Sequence, residues 1–413
     1  MESSLSYRSL PVIPSVIPLY KRLIGNLFPS CRLSAFHYVC LQSQSNECEQ
    51  TAIVATTILL KLKTLNNTPY KMKKHYNLVF ITNMPSFYKI KIWNEVCKEK
   101  SVLAIFLMSS DNTRNADFTS GEPKFDYELL DSMGEVKKTF AIIRTLRKIR
   151  YDHLVFGVWD NVPSLVIPFV TPPLKNGVIC ESSIYEYTPN MVKDLIKKSF
   201  LKRMSSGFVC GQAQGRLLQQ LGFKGNLVYT GGCGLLNYQP QTPFEYRSNV
   251  TNFLFVGRLI DVKNLKFLIS VFNELPTLTL SIIGFGEQEE ELKAMAHSNV
   301  HFLGAIPNVE LVKYYRSMDV FVLPSKSEPW GLVVEEALNN GLPVIVSNRV
   351  GCRDDLVTEK TGLVFDYSSK QSLKDSILKM TDVEYYNSLR NNISSLNFIE
   401  RGEQQVAAFT NLE

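Results

Sequence analysis

The 413-residue sequence lacks the signatures of several familiar protein classes. No apolar run approaches the roughly 18–20 residues that a membrane-spanning helix needs, and the longest candidate, residues 51–60, is much shorter. Its eight cysteines include no Cys-x-x-Cys pair. That absence argues against a disulfide framework or a structural zinc site and favours a reducing compartment. What remains is an ordinary globular composition, 45% apolar and 20% charged, in a chain long enough for two or three domains.

Charge is unevenly distributed along the chain. Residues 73–240 carry a net charge of +8 and residues 241–413 a net charge of −6, which predicts an anionic partner for the first half. Basic and apolar residues interleave there, as on an amphipathic helix that rests on an anionic membrane, although a solvated helix face explains the pattern equally well. No aromatic stacking platform accompanies them, which argues against nucleic acid. The basic residues form two clusters: Arg144, Arg147, Lys148 and Arg150, and then Lys193, Lys197, Lys198, Lys202 and Arg203.

The spacing of apolar segments divides the chain into regions. Residues 1–71 hold three acids and show little periodicity, whereas Met72 and the apolar run that follows it resemble the start of a protein. We therefore expect residues 1–71 to be a disordered or non-native leader. Beyond them, apolar segments alternate with amphipathic stretches, and a segment rich in Pro and Gly, residues 231–249, separates two such series. The alternation predicts two parallel sheets with helices on both faces, which bind ligands at the carboxyl ends of their strands. Candidate strands are 77–82, 102–107, 153–158, 177–180, 207–210 and 227–230, then 252–256, 278–283, 300–303, 319–323, 343–347 and 363–365.

The most informative segment is residues 325–337. An apolar strand, residues 319–324, is followed by a turn containing Gly331 and then by good helix formers. Because the first N–H groups of a helix have no partner inside it, this turn predicts an anion site. Glu328 precedes the helix and Glu336 lies about a turn and a half inside it. The two carboxylates can therefore contact opposite ends of one ligand.

This segment resembles the Glu-x7-Glu motif of retaining glycosyltransferases with the GT-B fold, in particular those of the large GT4 family. Further blocks of the chain resemble that family in the same order, and blocks in order across roughly 120 residues are far more specific than any one alone. Looser matches occur upstream, at residues 82–89 and 180–183. The ordered blocks are Val256–Asn264, Ile283–Glu287, Phe302–Gly304 with Tyr314–Ser325, Gly341–Ser347 and Gly362–Phe365.

The resemblance implies an α/β architecture of two Rossmann-like domains that face each other across a cleft. Residues 72–235 are then the acceptor-binding domain, residues 236–249 a linker, and residues 250–385 the domain that binds the nucleotide sugar. Residues 386–413 are expected to form a helix that crosses back to the first domain.

The resemblance also implies roles on the donor side. A diphosphate leaving group needs cations or dipoles where negative charge develops, and Arg258 and Lys263 match the pair that supplies them. Glu336 is expected to bind the ribose and Glu328 the transferred sugar, although an acid before a helix can also cap it. Glu335 reads as an ordinary surface acid. The chain has no Asp-x-Asp, the usual short metal–diphosphate clamp, so we expect no metal and no cofactor. The donor we expect is a UDP- or GDP-sugar. The other donor-side positions are Gly284 and Gly286 at the nucleotide, Ile306 beside the base, and Gly331, Leu332 and Val333 at the helix N-terminus.

The acceptor side is less well defined. Many related enzymes have a histidine after an early strand that contacts the donor sugar, whereas this chain has Glu181 and Ser182 in the matching region. Glu181 could orient an acceptor hydroxyl or act as a general base, or it could cap the residues that follow, 184–188. In retaining transfer of this kind the donor phosphate can take the acceptor proton, so a separate base is not required. The expected acceptor-side wall is Pro85, Ser86 and Lys89.

Taken with the resemblance, these features predict a cytoplasmic retaining hexosyltransferase, peripheral at the inner face of the cell membrane. Its expected acceptor is a lipid-linked, lipopolysaccharide, capsule or exopolysaccharide precursor. Two alternatives remain: a non-catalytic sugar-nucleotide-binding or scaffolding subunit of a glycan assembly complex, and a sugar-nucleotide epimerase of the GT-B fold. The intact set of Arg258, Lys263, Glu328 and Glu336 argues against the first, and the order of the second-domain blocks argues against the second.

Overall fold

The computed structural model describes residues 73–110, 116–159, 161–240 and 243–412. The leader predicted for residues 1–71 lies outside these ranges. Strands of the described part are β1 His75–Thr82, β2 Val102–Phe106, β3 Asp126–Leu129, β4 Arg150–Phe156, β5 Asn176–Cys180, β6 Ser206–Val209, β7 Asn226–Tyr229, β8 Asn252–Val256, β9 Thr279–Ile283, β10 Val300–Gly304, β11 Val320–Leu323, β12 Val344–Ser347 and β13 Gly362–Phe365.

Helices connect these strands. They are α1 Phe87–Val96, α2 Glu135–Lys148, α3 Val162–Val166, α4 Met191–Leu201, α5 Gln212–Gln220, α6 Leu265–Phe272, α7 Glu289–Met295, α8 Leu311–Ser317, α9 Leu332–Asn339, α10 Arg353–Leu356, α11 Lys370–Met380, α12 Val383–Ser394 and α13 Phe398–Thr410. Short 3-10 helices occur at Ala116–Thr119, Ile167–Phe169, Pro173–Lys175, Ile184–Glu186, Asp261–Lys263 and Asn308–Glu310.

The first sheet joins seven strands of the described part in the order β3-β2-β1-β4-β5-β6-β7. Every pairing in it is parallel. Since helices cover both faces of such a sheet, strand residues are buried whichever way they point, and all of β2 is buried. Trp93 of α1 stacks on Phe80 of β1 with ring centroids 4.3 Å apart, and this contact holds that helix against the sheet.

The second sheet joins six strands of the described part in the order β10-β9-β8-β11-β12-β13. Its pairings are again all parallel. Its central strands β11 and β12 are buried at every position, as the near-continuous apolar runs predicted. The prediction of two parallel sheets with helices between the strands is therefore confirmed.

One strand of the first sheet, β3, was not predicted from the sequence. It forms the sheet edge and pairs only with β2 among the described strands. An edge strand has one neighbour and is partly solvated, so polar residues are tolerated along it. In Asp126-Tyr127-Glu128-Leu129 the two acids interrupt the apolar pattern, and Tyr127 is 54% exposed.

The end of the described chain contacts both domains in turn. Helix α12 packs on the second core through Tyr386, Leu389 and Ile393. The next helix, α13, reaches the first core, where Phe409 stacks on Phe208 at 4.9 Å and meets the edge of Phe80 at 5.8 Å. The helix that reaches the first domain is thus Phe398–Thr410, which lies within the predicted residues 386–413.

Candidate functional site

A cavity of about 330 Å³ lies where the carboxyl ends of both sheets meet. Residues that follow β8, β9 and β11 line it from the second domain, and Glu181, which follows β5, lines it from the first. Parallel sheets bind ligands at this edge because their strand ends and helix N-termini gather there. The predicted residues that line the cavity are Glu181, Arg258, Lys263, Gly284, Ile306, Glu328, Gly331, Leu332, Val333 and Glu336. Gly286, Pro85, Ser86 and Lys89 do not line it.

The amino end of α9 opens into the cavity. Gly331 precedes the helix with φ of 105°, a left-handed conformation that favours glycine. A Cβ at this position would also lie 3.2 Å from Val350 Cγ1. The turn therefore directs the first N–H groups of α9 towards the lining, where helix geometry leaves them available to an anion.

Lys263 and Glu328 form an ion pair inside the cavity. The Lys263 ammonium contacts Glu328 Oε2, and the Ser325 hydroxyl donates to the same oxygen at 3.2 Å. Both charged side chains are only 13% exposed, so solvent screens their attraction weakly. Glu328 makes no capping bond to α9, whose first turn begins at Gly331. The structure thus pairs Lys263, which was predicted to bind the phosphate, with Glu328, which was predicted to bind the sugar.

Two glycines allow the loops of the second domain to approach each other closely. Gly284 has φ of 139°, and a Cβ there would overlap the carbonyl oxygen of Gly257. A Cβ on Gly286 would overlap the carbonyl oxygen of Leu259. Gly284 lines the cavity, whereas Gly286 acts behind it by packing one loop against the next.

Glu336 lines the cavity one turn further along α9. Burial raises the pKa of its carboxyl to about 7, although the Tyr315 hydroxyl, which donates to Oε2 at 3.0 Å, favours the ionised form. The neighbouring Glu335 raises the pKa further. The sequence did not single out Tyr315, which lies on α8 and is 1% exposed.

Glu335 is not a surface acid, and that expectation was wrong. Its side chain is fully buried and accepts hydrogen bonds from Trp330 Nε1, at 3.0 Å, and from the Tyr238 hydroxyl. A signal was present in the sequence, since a tryptophan in a buried turn needs an acceptor for its N–H and Glu335 is close enough along the chain to supply one.

The first domain supports the loop of residues 326–331, which we call the donor loop. Gln214 Nε2 donates to the carbonyl oxygen of Pro329 at 2.6 Å. Ser327 donates to Glu186 Oε1 at 2.8 Å. The donor loop is thus held by both domains, and Glu186 is a contact that the sequence did not indicate.

On the acceptor side, Glu181 pairs with Lys89. The ammonium lies 3.0 Å from Glu181 Oε1, and Lys89 is 12% exposed. Burial alone would lower the pKa of Lys89, but the carboxylate outweighs it and the pKa lies above its usual value. Lys89 therefore acts behind the cavity wall, which Phe87 and Tyr88 form instead. Ser86 precedes α1 and is 1% exposed.

Glu181 does not cap the residues after it. The N-cap of the 3-10 helix Ile184–Glu186 is Ser183, and its N–H donates to the side chain of the last helix residue, Glu186 Oε2, at 3.1 Å. The capping alternative for Glu181 is therefore wrong.

The basic clusters differ in how exposed they are. Arg144, Arg147 and Lys148 are exposed on α2. Arg203 donates to the carbonyl oxygens of Pro168 and Thr171, so its charge is used within the fold. The other basic positions predicted to meet a membrane are the partly buried Lys197, whose ammonium lies 5.2 Å from the centroid of the Trp159 ring, and the exposed Lys198 and Lys202.

Neither a metal centre nor a membrane-spanning helix is evident in the described ranges. There, no three His, Cys, Asp or Glu side chains gather as metal ligands. No helix in the same ranges combines the length and apolar character needed to cross a bilayer.

Comparison with known proteins agrees with this arrangement. Residues 243–396 match the model of the family described as Glycosyl transferases group 1. An uncharacterized glycosyltransferase of Haemophilus influenzae is 36% identical over 226 residues, covering 51% of this chain and 62% of that protein. The sulfoquinovosyl transferase SQD2 of Arabidopsis thaliana is 38% identical over 137 residues, covering 32% of this chain and 25% of that protein. The chain thus spans less than two thirds of the length of the curated relatives it matches.

Solved structures share the whole two-domain fold. Anabaena HepE in complex with UDP and glucose has a TM-score of 0.63 at 14% identity, covering 82% of this chain and all of that one. The lipopolysaccharide outer core galactosyltransferase WaaB has a TM-score of 0.61 at 15% identity, covering 81% of this chain and all of that one. The fold is therefore GT-B, two parallel-sheet domains facing each other across a cleft. With the family match to the second domain, it supports a GT-B glycosyltransferase.

The raised pKa of Glu336 generates a pH prediction. In the role expected for Glu336 at the ribose, both oxygens of the ionised carboxylate accept hydrogen bonds from hydroxyl groups above pH 7, and protonation below pH 7 turns one of these acceptors into a donor. We expect the affinity for UDP, or for GDP if UDP does not bind, to fall about tenfold as the pH drops from 8 to 6. Calorimetric titration across this range measures it.

Glu336→Gln is the matched control, because it keeps the shape of the side chain and removes its titration. Any pH dependence that persists in this variant belongs to the nucleotide phosphate. An equal pH dependence in both proteins would contradict the prediction.

Proposed function

We propose that this protein is a retaining glycosyltransferase of the GT4 type that moves a hexose from a nucleoside diphosphate sugar to a glycan acceptor. The observation that carries the proposal is a single cavity that combines Arg258, Lys263 and the amino end of α9 with the carboxylates Glu328 and Glu336. This set contains both cationic groups for a diphosphate and acceptors for hydroxyl groups. A nucleotide sugar presents those two chemistries side by side.

The cationic groups stabilise the leaving group. Cleavage of the anomeric bond leaves negative charge on the diphosphate, and an arginine fork, an ammonium and a helix N-terminus all lower the energy of that charge. The chain's own groups thus supply what a metal provides elsewhere, and we propose transfer without metal or cofactor. Lys263 contacts Glu328 and also the phosphate. Glu328, which binds the sugar, and the leaving group therefore belong to one network of contacts.

Two relatives support our expectation that the donor is a UDP-sugar or a GDP-sugar. HepE has been solved with UDP-glucose. A GDP-mannose-dependent alpha-mannosyltransferase of Mycolicibacterium smegmatis is 37% identical to this chain over 112 residues. Ile306, which is 9% exposed and lines the cavity, is the side chain we assign to the face of the base.

Glu181 is better suited to orienting the acceptor than to removing its proton. Its Oε1 lies 3.0 Å from the Lys89 ammonium, so the side chain is held in place and one of its two oxygens already has a partner. We therefore assign proton removal to the donor phosphate and assign Glu181 and Lys89 to shaping the acceptor side.

The acceptor we propose is a lipid-linked or lipopolysaccharide, capsule or exopolysaccharide precursor, met by a cytoplasmic protein at the inner face of the membrane. Arg144, Arg147 and Lys148 form an exposed basic surface on α2, which can attract anionic headgroups. A capsular polysaccharide biosynthesis glycosyltransferase of Staphylococcus aureus is among the relatives, 31% identical over 141 residues.

Nucleotide binding tests the donor site first. The melting temperature is measured with UDP, GDP, ADP and CMP for the wild type, for Arg258→Ala and for Arg390→Ala, which removes an arginine outside the cavity. A ligand at about 100 times its dissociation constant adds roughly 2.7 kcal/mol of stability. We expect a shift with UDP or GDP that Arg390→Ala keeps and Arg258→Ala loses.

If the wild type responds to none of the four nucleotides, the proposed function is refuted. A shift without consumption of any sugar donor would instead favour the non-catalytic sugar-nucleotide-binding subunit.

Replacement of Glu181 by Gln tests its role in turnover. Because the amide keeps the shape and one acceptor oxygen, we expect kcat to change by less than about threefold and the KM of the acceptor to rise, whereas loss of a general base typically costs about 100-fold or more. Steady-state kinetics with varied acceptor separates the two. A 100-fold fall in kcat with unchanged KM would instead identify Glu181 as the general base.

Sedimentation with vesicles tests the membrane surface. Vesicles of phosphatidylcholine with 30% phosphatidylglycerol should bind the wild type, and 0.5 M NaCl should release it. Replacing Arg144, Arg147 and Lys148 together by alanine should weaken binding more than tenfold, at about 1 kcal/mol per charge.

The matched control replaces three lysines of α11 in the second domain. Binding that ignores salt, or that both variants lose equally, contradicts the proposal. The control lysines are Lys370, Lys374 and Lys379.

A further inference from the structure

Glu335 is the most completely buried acid near the cavity, yet it faces away from the ligand-binding groups. Its exposure is 0%, and it does not line the cavity, whereas its neighbour Glu336 does. Oε2 accepts from Trp330 Nε1 at 3.0 Å, and Oε1 accepts from the Tyr238 hydroxyl. Arg401 Nε lies 3.8 Å from Oε1, within ion-pair distance. A buried carboxylate without such partners would strongly destabilise the fold. Glu335 therefore depends on these three partners to remain buried.

The first partner, Trp330, belongs to the donor loop. Its indole is 2% exposed and its residue lines the cavity between Glu328 and Gly331. The ring also lies against the first domain, because a Cβ on Gly211 would lie 2.7 Å from Trp330 Cζ3. Trp330 is therefore held on one side by the backbone of the first domain and on the other by Glu335.

The remaining partners lie in the linker and on the last helix of the described chain. The Tyr238 hydroxyl accepts from Gln405 Nε2 at 3.2 Å, and Gln405 Oε1 accepts from the Gly234 N–H at 3.0 Å. Arg401 and Gln405 are one turn apart on α13. The same helix inserts Phe409 into the core of the first domain.

These contacts form one chain of bonds from the first-domain core to the donor loop. We propose that Glu335 is a positioning residue that couples the placement of α13 to the geometry of the donor loop. Movement of α13 on the first domain changes the Arg401 and Tyr238 contacts, these move the Glu335 carboxylate, and the Trp330 ring moves with it. The functional part of this inference, that the loop so positioned binds a nucleotide sugar, rests on the function proposed above.

Two measurements on the full chain test the coupling. Hydrogen–deuterium exchange of residues 326–333, without ligand, reports the order of the donor loop, and calorimetry reports the affinity for UDP, or for GDP if UDP does not bind. Arg401 lies more than 60 positions after the donor loop in the sequence. In Arg401→Met we expect loop exchange to quicken and nucleotide affinity to fall, each about tenfold, the scale of a lost partly buried ion pair.

Control variants separate coupling from general destabilisation. Glu403→Gln changes a charge on the exposed face of the same helix and should leave both readouts unchanged. Arg401→Lys keeps the cation and should restore most of the loss. Trp330→Phe keeps an aromatic ring and removes the N–H donor, so if the network is one unit, its effect on affinity and that of Arg401→Met should combine to less than their product.

The inference is overturned if Arg401→Met lowers the melting temperature while loop exchange stays at the wild-type rate, because the network would then be structural only. Effects of Arg401→Met and Trp330→Phe that multiply fully would overturn it as well. If the wild type binds no nucleotide, the proposed function fails, and the exchange measurement still decides the coupling on its own.

Discussion

The position of the cavity depends on the parallel pairing of the strands, because two parallel neighbours cannot be joined by a tight turn. Each strand must be followed by a crossover, so every strand of a sheet ends at the same edge. The loops after β8, β9 and β11 therefore crowd together, closely enough that Gly284 has no room for a side chain beside Gly257. Crowding of this kind holds the backbone still. Arg258 and Glu328 consequently line the cavity from loops that follow β8 and β11, two neighbouring strands of the same sheet.

Two ion pairs lie at the cavity or directly behind its wall. Lys263 contacts Glu328, and Lys89 contacts Glu181, one pair in each domain. Burying an uncompensated charge is costly, so each of these two lysines has a carboxylate beside it. An anionic ligand that enters such a site joins an existing network and redistributes its hydrogen bonds. Selectivity then depends on how well the ligand matches the geometry of the pairs, more than on net charge.

The sequence predicted what depends on strand order and on residues that immediately follow strands. Twelve of the thirteen strands of the described part correspond to predicted apolar segments, and ten predicted residues line one cavity. Features set by tertiary packing could not be read in this way. The edge strand β3 tolerates acids that break its apolar pattern, and Glu335 is buried by Tyr238 and α13, which lie about 65–100 positions away. For the same reason no pattern indicated that Lys263 and Glu328 would bond to each other.

The position of Phe409 has a consequence for how the chain acquires its structure during synthesis. Phe409 fills the space between Phe80 and Phe208, which belong to the first domain and are made more than 200 residues earlier. A nascent chain that has not yet reached α13 has all the strands of the first sheet but lacks part of its core. The domain that is synthesised first is therefore completed last, and until then its unfilled apolar surface is open to chaperones and to aggregation.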